Sequence, residues 1–293
     1  MGYRVHAGRP FHVSGGRTLS LDVYDPTGRR GLRPAFVLFH GGGWISGARE
    51  HVALHLLPWM ERGWVTVNVE YRLAREAPAP AAAWDARRAL AWVMANAGDF
   101  GVDPAQVVLG GLSSGGALAL LSGMGAPLPP LPDEAGPGEV APTGVRAIVS
   151  WFGVTDVADL LEGERPKAYA RRWIGNRPDA ADVARRLSPC RWVGPRTPPV
   201  VTVHGDRDPT VPYHQAVEFH LRLDAAGVAN RLVTMPGAGH GDFGEAGWGR
   251  AYQAVFDFLR DQVGIDVDPG ARWIPRGDGP NLGRPLPPRP LTT

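Results

Sequence analysis

Gly111-Leu112-Ser113-Ser114-Gly115 decides the fold of this chain. It follows the apolar run Gln106-Val107-Val108-Leu109 and precedes Gly116-Ala117-Leu118-Ala119-Leu120-Leu121, a run suited to a helix start. Strand, sharp turn and helix in that order are the context of a G-x-S-x-G elbow, which stands its serine out from the sheet edge. Glycines flank the serine because side chains there would collide with backbone. Taken alone, the five residues suit an inert glycine-rich turn equally well, since the motif is common by chance.

Three further stretches agree with it. His40-Gly41-Gly42-Gly43-Trp44 follows Ala35-Phe36-Val37-Leu38-Phe39. His204-Gly205-Asp206-Arg207-Asp208 follows Pro199-Val200-Val201-Thr202-Val203, and Gly237-Ala238-Gly239-His240-Gly241 follows Arg231-Leu232-Val233-Thr234-Met235. Each polar group lies just past a predicted strand, and in a parallel sheet those ends share the edge where sites form. Ser113 is the candidate nucleophile. Centring the elbow on Ser114 would put Leu112 where the first glycine belongs. A serine hydroxyl needs an adjacent base, and among the nine histidines His240 alone lies in a loop after the last strand. His51, His55, His214 and His220 fall on predicted helices, as surface or packing residues, and His40 is expected to brace the glycine loop. Asp208 is the candidate orienting acid, with Asp206 and Asp242 as competitors. Gly42 and Gly43 let backbone N–H groups approach a developing oxyanion, with the Ser114 amide as a further donor. Trp44 either walls a pocket or anchors its loop, with equal weight; Trp151 and Phe152 are candidate pocket walls.

These residues, with Tyr71-Arg72-Leu73-Ala74, carry a resemblance to the α/β-hydrolase superfamily and its HGGG-type branch of carboxylesterases over roughly residues 10 to 265. That branch takes in hormone-sensitive-lipase-like, arylformamidase-like and feruloyl-esterase-like enzymes. Two positions depart from the lipase-like pattern: Ser114 stands where alanine is usual, and Arg75 where proline is usual. The stretch His204-Gly205-x-x-Asp208-x-x-Val211-Pro212 resembles the family pattern with Asp208 as the acid, leaving Asp206 to cap a turn. Tyr71-Arg72 is expected to be structural, with Asp85 as the partner of Arg72.

The resemblance implies a mostly parallel eight-stranded sheet with helices on both faces and a small helical cap. Strands are expected near 11–13, 19–24, 35–39, 64–69, 106–110, 146–151, 199–204 and 231–236, the first two as an antiparallel hairpin turning at Gly15-Gly16. Helices are expected near 50–62, 82–97, 113–123, 212–226 and 246–263. Residues 124–144 read as a surface loop. Residues 154–196 read as the cap, with amphipathic pieces at Asp156–Leu161 and Lys167–Ile174. The domain is placed at 1–265, with a Pro-, Gly- and Arg-rich tail over 266–293.

Composition narrows the function. A chain of 293 residues with 44% hydrophobic content can bury a full core, and a net charge of +2 gives no electrostatic case for nucleic acid. The single cysteine, Cys190, excludes an intrachain disulfide. The first residues lack the apolar core of a signal peptide and no run approaches a membrane span, so a cytoplasmic protein is expected. No cofactor and no metal are expected: His204, Asp206, Asp208, His240 and Asp242 match no zinc spacing and fit a triad better. The expected partner is a small-molecule substrate, with no nucleic acid and no membrane; the oligomeric state stays open, a homodimer among the candidates. The leading activity is hydrolysis of small, moderately apolar esters. An arylformamidase-like amidase is second, and a non-hydrolytic descendant (a cyclase, dehydratase or ligand receptor) third.

Overall fold

Runs such as Ala35 to Phe39, apolar at every position, suit strands covered on both faces. In the computed structural model, which describes residues 2–27, 31–131, 144–164, 166–265 and 267, such runs form the middle of one sheet. The strands are β1 Tyr3–Ser14, β2 Arg17–Pro26, β3 Arg33–Phe39, β4 Val65–Val69, β5 Val102–Leu112, β6 Val145–Trp151, β7 Val200–Gly205 and β8 Asn230–Met235. Their order across the sheet is β1-β2-β4-β3-β5-β6-β7-β8. β1 and β2 are antiparallel to each other and β2 is antiparallel to β4; every later pairing is parallel. This is the α/β-hydrolase arrangement.

The hairpin turns at Gly15 (φ 54°) and Gly16 (φ 80°), with Ser14 opposite Arg17. A two-residue turn that matches strand twist needs positive φ at both positions, which glycine supplies freely. β1 runs well beyond the expected 11–13. Its register shifts between His6 and Arg9 and between Pro10 and His12, and these irregularities break the alternation that marks a strand in sequence.

Helices cover both faces. On one side lie α2 Ala81–Ala95, α3 Ser114–Gly123 and α7 Tyr213–Ala225; on the other, α1 Leu57–Met60 and α8 Gly244–Phe258. Alternate residues of β3 feed the two layers, Val37 and Phe39 into the first and Phe36 and Leu38 into the second. The helix expected over 50–62 is a 3₁₀ segment, Arg49–Leu56, followed by the one-turn α1. Pro58 sits in the first turn of α1, where its missing N–H costs nothing, but it cannot continue the helix before it. The last helix ends in a π turn over Leu259–Val263.

The segment after β6 folds as three short helices, one more than expected: α4 Val157–Glu162, α5 Ala168–Ile174 and α6 Ala180–Arg186. The Asp156 carboxylate caps α4 by accepting from the Asp159 amide at 3.0 Å. Arg72 and Asp85 pair as expected: Nε–H reaches Oδ2 at 2.8 Å and Nη2–H reaches Oδ1 at 2.7 Å, a buried bidentate contact. Most of the 124–144 loop, and the expected tail apart from Val267, lie outside the described residues. Among the described residues no helix is long and apolar enough to cross a membrane.

Candidate active site

β3 and β5 lie side by side in the middle of the sheet with Phe39 opposite Gly111, so His40 and Ser113 leave it together. β4 lies on one flank of β3 and β5 on the other, and the chain crosses over between them, which opens a crevice at the strand ends. Ser113 takes φ 54°, ψ −119°, a region that costs a non-glycine residue on the order of 1–3 kcal/mol. The turn is tight enough to demand its glycines. A Cβ on Gly111 would lie 2.1 Å from the Gly115 carbonyl oxygen, and one on Gly115 would lie 2.2 Å from that of Phe39. The Ser113 amide donates to the Trp151 carbonyl at 2.8 Å, which ties the elbow to β6.

From the loop after β8, His240 brings Nε2 to 2.9 Å from Ser113 Oγ and Nδ1 to 2.6 Å from Asp208 Oδ2. A carboxylate only accepts, so Nδ1 carries the ring proton and Nε2 can accept from the serine hydroxyl. The Asp208 Oδ1 atom accepts from the amides of Thr210 (2.7 Å) and Val211 (2.9 Å). Its Oδ2 also lies 3.1 Å from Nε2 of His204, the penultimate residue of β7. Burial alone would raise the Asp208 carboxyl; the hydrogen bonds from His204 and His240, the His240 charge and the Val211 amide outweigh it and hold the carboxyl well below the ordinary range. The two competing aspartates serve turns: Asp206 accepts from the Gly237 amide and Asp242 from that of Gly239.

The glycine turn faces the serine. Gly42 (φ 120°) and Gly43 (φ 62°) adopt backbone that disfavours side chains. The Gly42 carbonyl accepts from the amides of Ile45 and Ser46, while the amides of Gly42 and Gly43 donate to no group among the described residues. Ser114 opens α3, where an amide has no partner within the helix. His40 braces this turn from below. Its Nδ1 donates to the Gly41 carbonyl at 2.7 Å, its ring stacks on Tyr71 at 4.1 Å, and the Tyr71 hydroxyl donates to the His40 carbonyl at 2.8 Å. Burial pushes the His40 imidazole down to about 4, so it is neutral at pH 7.

A cavity of about 650 Å³ opens onto Ser113 and His240. Ile45, Val52, Leu112, Phe152 and Tyr169 are among its walls, with His51 and Ser46 alongside. Phe152 stands edge-on to His240, ring centroids 4.6 Å apart. Trp44 and Trp151 are not in the lining. Trp44 is buried and stacks on Trp173 at 3.9 Å, so it anchors its loop; Trp151 points into the opposite layer against Tyr252 and Trp248. His51, expected as a helix-surface or packing residue, borders the cavity instead. The 154–196 segment reaches the site through α5. The Tyr169 ring forms a wall and its hydroxyl donates to the Thr210 carbonyl at 3.1 Å, and Lys167 Nζ donates to the Pro209 carbonyl at 2.7 Å.

The family model BD-FAE matches residues 21–223, more than two thirds of the chain. The chain belongs to the BD-FAE family. This BD-FAE member lies within the α/β-hydrolase carboxylesterase branch. It is 32% identical to esterase LipC of Mycobacterium tuberculosis over 71% of this chain and 53% of LipC. It is also 32% identical to esterase LipQ of the same organism over 84% of this chain and 60% of LipQ. The BD-FAE chain thus spans little more than half the length of these curated relatives. Among solved structures it resembles the thermophilic esterase Est2 of the Planctomycetes species Thermogutta terrifontis, with TM-score 0.72, 27% identity, and coverage of 89% of this chain and 92% of that one. The Thermogutta enzyme has also been solved with propionate bound and phosphonylated by cyclosarin.

Reading the BD-FAE sequence missed Tyr169, Ile45, Val52, Leu112 and the contact between His204 and Asp208. The signal for His204 was present: a histidine closing an apolar strand four residues before the acid.

Proposed function

We propose that this protein is a serine hydrolase that cleaves small, uncharged, moderately apolar carboxylic esters through an acyl-enzyme on Ser113. The observation that carries this reading is the unbroken chain from Ser113 Oγ to His240 Nε2 (2.9 Å) and from His240 Nδ1 to Asp208 Oδ2 (2.6 Å), at the head of a cavity walled largely by apolar groups.

In the proposed cycle His240 Nε2 takes the Ser113 proton as Oγ attacks the ester carbonyl carbon. Asp208 fixes the ring tautomer and stabilises the imidazolium without itself taking the proton. The oxyanion forms toward the amides of Gly42, Gly43 and Ser114, each such donor contributing ~3–4 kcal/mol in enzymes of this kind. The intermediate then expels the alcohol, which leaves with the proton from His240. A water, deprotonated by His240, attacks the acyl-enzyme; collapse releases the acid and returns the proton to Ser113 Oγ. The propionate bound by the Thermogutta esterase fits a short acyl group here, and that enzyme's reaction with an organophosphorus agent fits an activated nucleophile.

The test is a panel of p-nitrophenyl esters of rising acyl length beside N-formyl aryl amides, with peptide mapping of a fluorophosphonate label. The expected result is highest kcat/KM on short acyl esters and one label per chain, on Ser113. A formamide turned over faster than every ester would overturn the ester preference, and a label on Ser114 would overturn the assignment of the nucleophile.

A further inference from the structure

Against the triad carboxylate stands a buried titratable side chain that the proposed cycle does not use. His204 is fully buried at the end of β7. Its Nε2 lies 3.1 Å from Asp208 Oδ2 and 3.1 Å from the Val211 carbonyl oxygen, and its Nδ1 has no hydrogen-bond partner. Both neighbours of Nε2 are acceptors, so Nε2 carries the proton and Nδ1 the lone pair. Asp208 Oδ2 is therefore shared between two imidazoles, while two amides hold Oδ1.

We infer that His204 is a positioning residue of the triad: its Nε2–H shares the carboxylate oxygen that faces His240, fixing that oxygen and drawing charge from it. The inference rests on the proposed triad. Among the described residues the titratable groups facing this carboxylate are His204, His240 and Tyr169, and the Tyr213 ring stands edge-on to His204 at 5.7 Å. Donors to an anion spread its charge. Without the His204 donor, Oδ2 would bind the His240 proton more tightly, and His240 would stay protonated, and useless as a base, to higher pH. A histidine that only filled the core would not act on that proton.

The experiment compares the parent with His204→Phe, which keeps a ring but loses the donor, and His204→Gln, whose amide can place an N–H near Nε2. The readouts are the NMR titration of the His240 ring in the resting protein and the acid limb of kcat/KM. In His204→Phe both are expected to move up by about half to one pH unit, a three- to tenfold loss of rate on that limb, with KM nearly unchanged, and in His204→Gln both return toward the parent. A folded His204→Phe with an unmoved His240 titration overturns the inference, as does an equal shift in both variants, which would make ring shape rather than the donor the cause. The parent supplies a check that needs no variant: ¹⁵N shifts must show the Nε2–H tautomer of His204, and an Nδ1–H tautomer overturns the inference. Absent ester turnover with the His240 titration still responding would sink the esterase reading and leave this one standing.

Discussion

The floor and the roof of the cavity are built from different kinds of chain. Ser113, Asp208 and His240 stand one, three and five residues beyond the ends of β5, β7 and β8. The Ser113 amide is tied to β6, the Asp208 carboxylate is held by the turn amides of Thr210 and Val211, and His240 is held by its bond to Asp208. The roof comes from α5 and from residues 45–56, a turn and a 3₁₀ segment that hold no strand. Chemistry that tolerates little displacement sits where the parallel sheet sets position; contacts that only shape the substrate sit on segments free to differ in length and composition.

That contrast sets the scale of the effects expected from substitution. Ser113→Ala removes the proposed nucleophile and is expected to cost on the order of 10⁶-fold in kcat, read on p-nitrophenyl acetate, with an unchanged circular dichroism spectrum. Asp208→Asn leaves the geometry but favours the wrong His240 tautomer, for a loss of about 10⁴-fold; a loss of only a few fold would mean that the loop after β7 is not part of the rigid floor.

Next comes the brace under the glycine turn. The unfolded chain protonates His40 below about pH 6.5, whereas the folded ring stays neutral down to about 4. The folded state therefore binds fewer protons across that window. The His40 contribution is fully present above pH 6.5 and falls by ~3 kcal/mol as the pH drops to 4. Urea unfolding at several pH values should show a flatter decline for His40→Asn, which keeps a donor for the Gly41 carbonyl but cannot take up the proton.

The roof carries the smallest effect. Tyr169→Ala is expected to shift the ratio of kcat/KM between long and short acyl esters by about tenfold toward the longer ones, with the shortest ester turned over at close to the parent rate. If Tyr169→Ala cost as much on the shortest ester as Asp208→Asn, the division between floor and roof would fail.

The floor was legible because its signals are local. An apolar run followed by a glycine-flanked polar residue marks a strand end, and four of these agreed on one edge. Of the three expected walls Phe152 lines the cavity, while Trp44 and Trp151 do not, for identifiable reasons. Trp151 shares a face of β6 with Val149 and Ala147, which the period of two sends into the layer of α8 and away from the cavity, while Phe152, just past the strand, turns into it. Trp44 sits at φ 60°, a conformation that aims its ring back at Trp173 and that no residue pattern announces. His51, expected on a helix over 50–62, lies instead on the 3₁₀ segment Arg49–Leu56 ahead of α1, and there it borders the cavity. Tyr169 reaches the cavity only because α5 folds over the loop carrying Asp208, a contact between residues some 40 apart that no periodicity encodes.

The chain contains a single lysine, Lys167, and the structure gives it a post: its ammonium holds the Pro209 carbonyl, next to the acid, two residues before the Tyr169 wall. Amine-directed reagents therefore have one side chain to react with apart from the chain terminus. A protein tethered to an activated resin through that amine would be gripped at the edge of its own cavity. For immobilisation or dye labelling, Lys167→Arg paired with a lysine introduced on the far face would move the attachment point and keep the contact to Pro209.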